Sequence, residues 1–143
     1  MKPQNILFWV CLIISILFGI FAIGYGVYLL VNGQGCGSFA DMGCAFGVMF
    51  SAIIIPYGIA VLIFAGLTGL PFRMARLFGS IFSVLIGLGN LSMGCLALSW
   101  TVGVDVSSLT TSEMMFFLLP LTLLIGGISL MGLGILGYQR SRQ

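Results

Sequence analysis

Two cysteines, a methionine and an acid lie within one short segment, GQGCGSFADMGCAFG, over residues 33–47. Cys36 and Cys44 bracket this group, with Asp41 and Met42 between them. Thiolate and thioether sulfurs are the soft ligands that copper(I) prefers, and two neighbouring thiols can also form a disulfide or exchange with another thiol. The segment therefore offers three chemistries: a structural disulfide, a thiol redox centre or a copper site.

A structural disulfide between Cys36 and Cys44 is the chemistry that this spacing favours. Gly37 and Gly43 supply the turn conformations that a small ring needs, and such a ring restrains the unfolded chain by about 2.5 kcal/mol. Redox relays generally use C-x-x-C pairs, which the sequence lacks, and Cys95 is the one further thiol expected nearby. We expect no cofactor and no metal site, with outer-face thiol redox or copper(I) handling as the weaker alternative.

The rest of the composition indicates where this segment lies. The chain is 60% hydrophobic and 6% charged, whereas charged residues make up about 25% of a soluble domain. A helix needs roughly 20 apolar residues to cross a hydrocarbon core about 30 Å thick. Four longer runs contain no charged residue, at about 6–31, 44–70, 77–100 and 114–138. The sequence predicts an all-α integral membrane protein, with four transmembrane helices in a tight antiparallel bundle forming a single domain over 1–143.

The charged residues alternate between the segments that flank these runs. The cations lie before run one, between runs two and three, and after run four. They are Lys2, Arg73, Arg76, Arg140 and Arg142. The acids, which fall in the other two loops, are Asp41, Asp105 and Glu113. Short cytoplasmic loops of membrane proteins carry the excess of Lys and Arg. We expect both termini to be cytoplasmic, with residues 32–43 and 101–113 on the outer face of a plasma or inner membrane.

Several function classes have no support in the sequence. The chain has no histidine, which is the commonest general base and metal ligand. No ionisable acid or base lies inside an apolar run, whereas pumps and proton-coupled carriers usually place such groups within the membrane. Five scattered cations are too few to indicate a nucleic-acid surface. We therefore expect a protein that is not an enzyme and has no nucleic-acid partner.

The third run carries a line of small and polar residues at alternating spacings of three and four. This helix-packing seam consists of Ser80, Ser83, Gly87, Asn90, Gly94, Ala97 and Thr101. Because lipid is as apolar as leucine, membrane helices associate through close backbone approach and interhelical hydrogen bonds. We therefore expect Leu, Ile and Phe, including Leu88 and Leu91, to face lipid. A larger side chain at Gly87 or Gly94 should push a neighbouring helix away.

Two polar side chains within the runs need hydrogen-bond partners. Asn90 is the one amide inside them, and we expect it to bond to a neighbouring helix. Tyr57 follows Pro56 in the second run, and a proline leaves a helix carbonyl without its donor. We expect the Tyr57 hydroxyl to bond to that freed carbonyl.

These features favour a non-catalytic accessory or scaffold subunit of a larger membrane complex. Its partners would be the lipid bilayer and other integral membrane subunits, or further copies of itself. The seam has more members than contact with two neighbouring helices requires, so some small-residue faces should remain free for an outside helix. The alternative is a small homo-oligomeric channel or carrier, with Ser80, Ser83, Asn90 and Thr101 lining its pathway.

Overall fold

The structure is a computed structural model that describes residues 3–33, 42–101 and 111–142, with side chains over 5–31, 48–99 and 118–142. Four helices make up nearly all of it: α1 (Pro3–Gly33), α2 (Met42–Gly69), α3 (Arg73–Thr101) and α4 (Thr111–Ser141). Each predicted run coincides with one helix to within a few residues. The prediction of an all-helical fold of four packed apolar helices is confirmed.

The connection between α2 and α3 is shorter than the sequence predicts. Helix α2 ends at Gly69, and α3 already begins at Arg73, four residues before the apolar run. Pro71 disfavours helical geometry at the residue before it, which ends α2. The backbone N–H of Arg76 donates to the carbonyl of Phe72 over 3.0 Å, so both arginines of the connection lie in the first turn of α3. A helix can begin before its apolar part does, and composition alone does not show this.

Consecutive helices run antiparallel, in two closely packed pairs. Helix α1 packs mainly on α2, and α3 mainly on α4, while the α2–α3 and α1–α4 contacts are smaller. In the first pair, a Cβ at Gly19 would lie 3.2 Å from the carbonyl oxygen of Gly58, and one at Gly26 would meet Ile55 at 2.6 Å. Glycine at these positions lets the two backbones touch, which is how helices gain contact in an apolar solvent.

Large apolar side chains also fill the interior between the beginning of α1 and the end of α4. Phe8, Leu12, Ala65 and Leu133 form a buried cluster there. The expectation that Leu, Ile and Phe all face outward is therefore wrong for this end of the bundle. Most other large apolar side chains are exposed on its surface.

All four helices are long and apolar enough to cross a membrane. The candidate membrane spans are Asn5–Val31, Val48–Gly69, Arg73–Ser99 and Leu118–Ser141. Exposed apolar side chains such as Leu17, Ile53, Leu85 and Ile128 cover the outside of the bundle. These features are consistent with the predicted membrane protein.

Candidate functional site

The predicted seam lies on the inner face of α3. Ser80, Ser83, Gly87, Asn90 and Gly94 are buried, and Ala97 is half-buried. The side chain of Thr101 lies outside the described residues. The seam faces α4 along most of its length and α2 at Asn90.

Glycines of the seam are in direct contact with the backbone of α4. A Cβ at Gly87 would lie 2.9 Å from the carbonyl oxygen of Gly127, and a Cβ at Gly127 would lie 3.0 Å from that of Gly87. At Gly94, a Cβ would meet Leu124 at 2.9 Å and the carbonyl oxygen of Pro120 at 3.3 Å. The seam is thus occupied within the chain and is not free for an outside helix.

Leu91 packs against α4, so the expectation that it faces lipid is wrong. It is half-buried, and a Cβ at Gly127 would lie 2.9 Å from its Cγ. Leu88, by contrast, is 46% exposed. Leu91 lies beside the seam, on the edge of α3 that α4 covers, because close approach at Gly87 brings the neighbouring residues of α3 into the contact as well.

A hydrogen bond between Tyr57 and Asn90 joins α2 to α3. The Tyr57 hydroxyl donates to Asn90 Oδ1 over 2.5 Å, and the ring of Phe18 from α1 packs edge-on against the Tyr57 ring, with centroids 6.4 Å apart. The expectation that Tyr57 bonds to the carbonyl freed by Pro56 is therefore wrong. The seam amide is close enough to accept the bond, and it gives the hydroxyl a partner on a different helix.

Three buried polar atoms have no hydrogen-bond partner among the described residues: Asn90 Nδ2, Ser83 Oγ and Ser80 Oγ. Leaving a buried donor or acceptor unpaired costs about 1–3 kcal/mol. Elsewhere in the interior, polar groups are paired. The Ser15 hydroxyl donates to Ser129 Oγ over 3.4 Å, and Ser129 Oγ donates to the carbonyl of Gly126 over 2.9 Å. The inner face of α3 therefore holds the unpaired polar groups of the described interior.

Arginines gather at the end of the bundle where α3 begins and α4 ends. The Arg76 guanidinium donates to the carbonyls of Leu70 and Arg140, at 3.1 and 3.2 Å. Arg140 donates to Asn5 Oδ1 over 2.7 Å, and its guanidinium lies 4.3 Å from the centroid of the Phe8 ring. These contacts tie α1, α3 and α4 together at what we call the basic end, where none of the described side chains is acidic.

The cysteine chemistry falls largely outside the described residues. Cys36 lies there entirely, and so do the side chains of Met42 and Cys44, so the disulfide between Cys36 and Cys44 stays a prediction. Within the described part of the chain, Cys11 is half-buried, Cys95 is exposed, and both are free thiols. No group of three or more Cys, Asp or Glu side chains that could hold a metal ion occurs among the described residues.

A second line of small residues runs along the opposite side of α3. This outer stripe consists of the small residues Gly89, Ser92 and Ser99, with the larger Leu96 between the two serines, and all four are exposed. Apart from the nearby backbone of α3 itself, a Cβ at Gly89 would meet no atom of the described residues within 4 Å. The Ser92 and Ser99 hydroxyls donate to carbonyls of their own helix, those of Leu88 and Leu96. Its spacing of three, four and three can be read from the sequence, where these residues alternate with those of the longer seam.

No family model, curated protein or solved structure matches the chain. The seam, the outer stripe and the basic end are therefore the features that bear on function.

Proposed function

We propose that this protein is a non-catalytic integral membrane protein that acts as an accessory or scaffold subunit of a larger membrane complex. The observation that carries the proposal is the outer stripe of α3. Its small residues Gly89, Ser92 and Ser99 are exposed, although the chain already uses the small residues of the seam for its own folding. Because lipid gives little drive for large apolar side chains to associate, a small-residue face favours close contact with another helix.

The chemistry of the outer stripe is also suited to an outside helix. Gly89 leaves room for close approach of a second backbone, and alternating spacings of three and four favour a left-handed crossing near about +20°. The Ser92 and Ser99 hydroxyls keep acceptor capacity after bonding to their own helix.

The proposal includes an orientation. The described arginines, Arg73, Arg76, Arg140 and Arg142, flank the end of α3 and α4 that also holds the beginning of α1. By the positive-inside rule this end faces the cytoplasm, so both termini are cytoplasmic. Residues 32–43 and 101–113 then lie on the outer face of a plasma or inner membrane.

The channel or carrier alternative has one observation in its favour. Unpaired polar atoms on Ser80, Ser83 and Asn90 are the groups that a solute pathway would use. The contact of Gly87 with Gly127 counts against it, because the seam is closed by α4 and a pathway along it would require the two helices to separate. We therefore place it second.

Purification of the tagged protein from its source membrane, in mild detergent or native nanodiscs, tests the proposal. Mass spectrometry of the purified material should find one or more unrelated membrane proteins in stoichiometric amount. A homo-oligomer that conducts a solute after reconstitution would overturn the accessory role and support the channel. Bound copper, or a Cys36–Cys44 pair that is readily reduced and reoxidised, would support the outer-face redox or copper alternative.

A further inference from the structure

A groove runs between α3 and α4 on the outside of the bundle, close to the basic end. Its volume is about 470 Å³, within the range of about 300–1,000 Å³ that is usual for small-molecule sites. Ile81, Val84 and Leu85 of α3 line one side, Ile135 of α4 lies on the other, and Gln139 and Arg142 line its polar end. The groove thus has an apolar part and a polar part.

The two parts lie at different depths relative to the predicted membrane. The uncharged run of α4 ends at about residue 138, so Arg142 lies beyond it, whereas Ile135 lies inside it. At 1.5 Å per residue, these two positions are about 10 Å apart along the helix axis. The groove therefore runs from the level of the lipid headgroups into the hydrocarbon layer.

The Arg142 side chain lies at the polar end of the groove, and most of its donors have no acceptor among the described residues. It donates one hydrogen bond to the Tyr138 hydroxyl, and its guanidinium carbon lies 4.7 Å from the centroid of the Tyr138 ring. A guanidinium has five N–H donors in a fixed plane that matches phosphate oxygens. None of the described side chains is acidic, so this cation has no carboxylate partner among them.

We propose that this groove binds an anionic phospholipid, with one acyl chain along Ile81, Leu85 and Ile135 and the phosphate on Arg142 and Gln139. Membrane lipid is the one occupant that supplies a negative charge and a long apolar chain at these two depths. Because lipid tails are as apolar as the groove, the chain contributes little preference between lipids. Selection arises from the headgroup, through the charge of Arg142, which no described carboxylate neutralises. The inference requires that α3 and α4 cross a bilayer, and it does not depend on the accessory role.

Native mass spectrometry of the purified protein, with dioleoyl phosphatidylglycerol or dioleoyl phosphatidylcholine added to the detergent, tests the headgroup part. The wild type should retain phosphatidylglycerol in preference to phosphatidylcholine. Arg142→Gln should lower phosphatidylglycerol retention about fivefold, the effect of one arginine near an anionic headgroup, and leave phosphatidylcholine unchanged. Arg73→Gln is the matched control, because Arg73 is an exposed cation at the same end that does not line the groove.

Three results would overturn the headgroup assignment: equal retention of both lipids by the wild type, unchanged retention in Arg142→Gln, or an equal loss in Arg73→Gln.

A second pair of variants tests the acyl-chain part. Leu85→Trp fills the groove and should lower retention of both lipids, whereas Leu88→Trp adds the same bulk on an exposed part of α3 outside it. Equal lipid retention by these two variants would show that the acyl chain does not bind in the groove.

Discussion

Two glycines on α3, only two positions apart, give the sharpest test of the packing between α3 and α4. Gly87 lies against α4, where a Cβ would be 2.8 Å from Met131 Cγ and 2.9 Å from both the carbonyl oxygen of Gly127 and the Met131 nitrogen. Gly89 faces outward, with nothing within 4 Å of such a Cβ. Gly87→Ala and Gly89→Ala add the same methyl group to the same helix, in two different environments.

The expected difference follows from these distances. Ordinary contact with a Cβ begins near 3.4 Å, so α3 and α4 must separate by about 0.5 Å at Gly87. Two of the three obstructing atoms are backbone atoms, and a rotamer change cannot move them. Overpacking of this kind costs about 1–3 kcal/mol. The gain in helix propensity from glycine to alanine, up to about 1 kcal/mol, applies at both positions. Gly87→Ala should therefore be about 1–3 kcal/mol less stable than Gly89→Ala.

Cys11 provides a readout for this comparison. It is half-buried, and its sulfur would lie 3.1 Å from a Cβ at Gly132 of α4, so unfolding should raise its reactivity. With the other cysteines replaced by serine, thiol labelling during a titration with sodium dodecyl sulfate gives the unfolding midpoint of each variant. Equal midpoints for Gly87→Ala and Gly89→Ala would refute the close α3–α4 contact. A larger loss in Gly89→Ala would show that the two faces of α3 have been assigned the wrong way round.

Three further predictions concern other parts of the chain. Tyr57→Phe should destabilise the protein by about 0.6–2 kcal/mol, and a double-mutant cycle with Asn90→Ala should show coupling between the two residues; additive losses would mean that the hydrogen bond contributes nothing. Replacing Cys36 and Cys44 by serine should lower the unfolding temperature without preventing folding. Mass spectrometry of the unreduced wild type should find the two cysteines joined in one disulfide, and two free thiols would rule out that bond. Small tags at both termini should be protected from a membrane-impermeant reagent in intact cells, and labelling of either tag would contradict the orientation inferred from the arginines.

The helices could be predicted from the sequence because an apolar run in lipid has few structural options. Backbone N–H and C=O groups must be paired within the hydrocarbon layer, so runs of this length predict helices. The burial of Gly87 and Asn90 agrees with the regular spacing of the seam, since that spacing marks one face of a helix. The helices follow from the length of the apolar runs, and the buried face of α3 follows from the spacing of three and four in the seam.

The contacts between particular helices could not be predicted in this way. The spacing of the seam does not show that Tyr57 of α2 is the partner of Asn90, because that depends on the relative rotation and height of two helices. The position of Leu91 against Gly127 and the groove beside Arg142 depend on the same geometry. The spacing of Cys36 and Cys44 suggests a disulfide from the sequence alone, but Cys36 lies outside the described residues, so this bond remains a prediction.

Site-specific photo-crosslinking in the source membrane tests the central claim, that the outer stripe of α3 contacts another membrane subunit. A photoreactive residue at Ser92 would probe the stripe, and one at Phe21, which is exposed on α1, would serve as the matched control on a lipid-facing surface. Position 92 should crosslink to one unrelated membrane protein, and position 21 should give no such product. Crosslinking from position 92 only to a second copy of this chain, or equally from both positions, would contradict it.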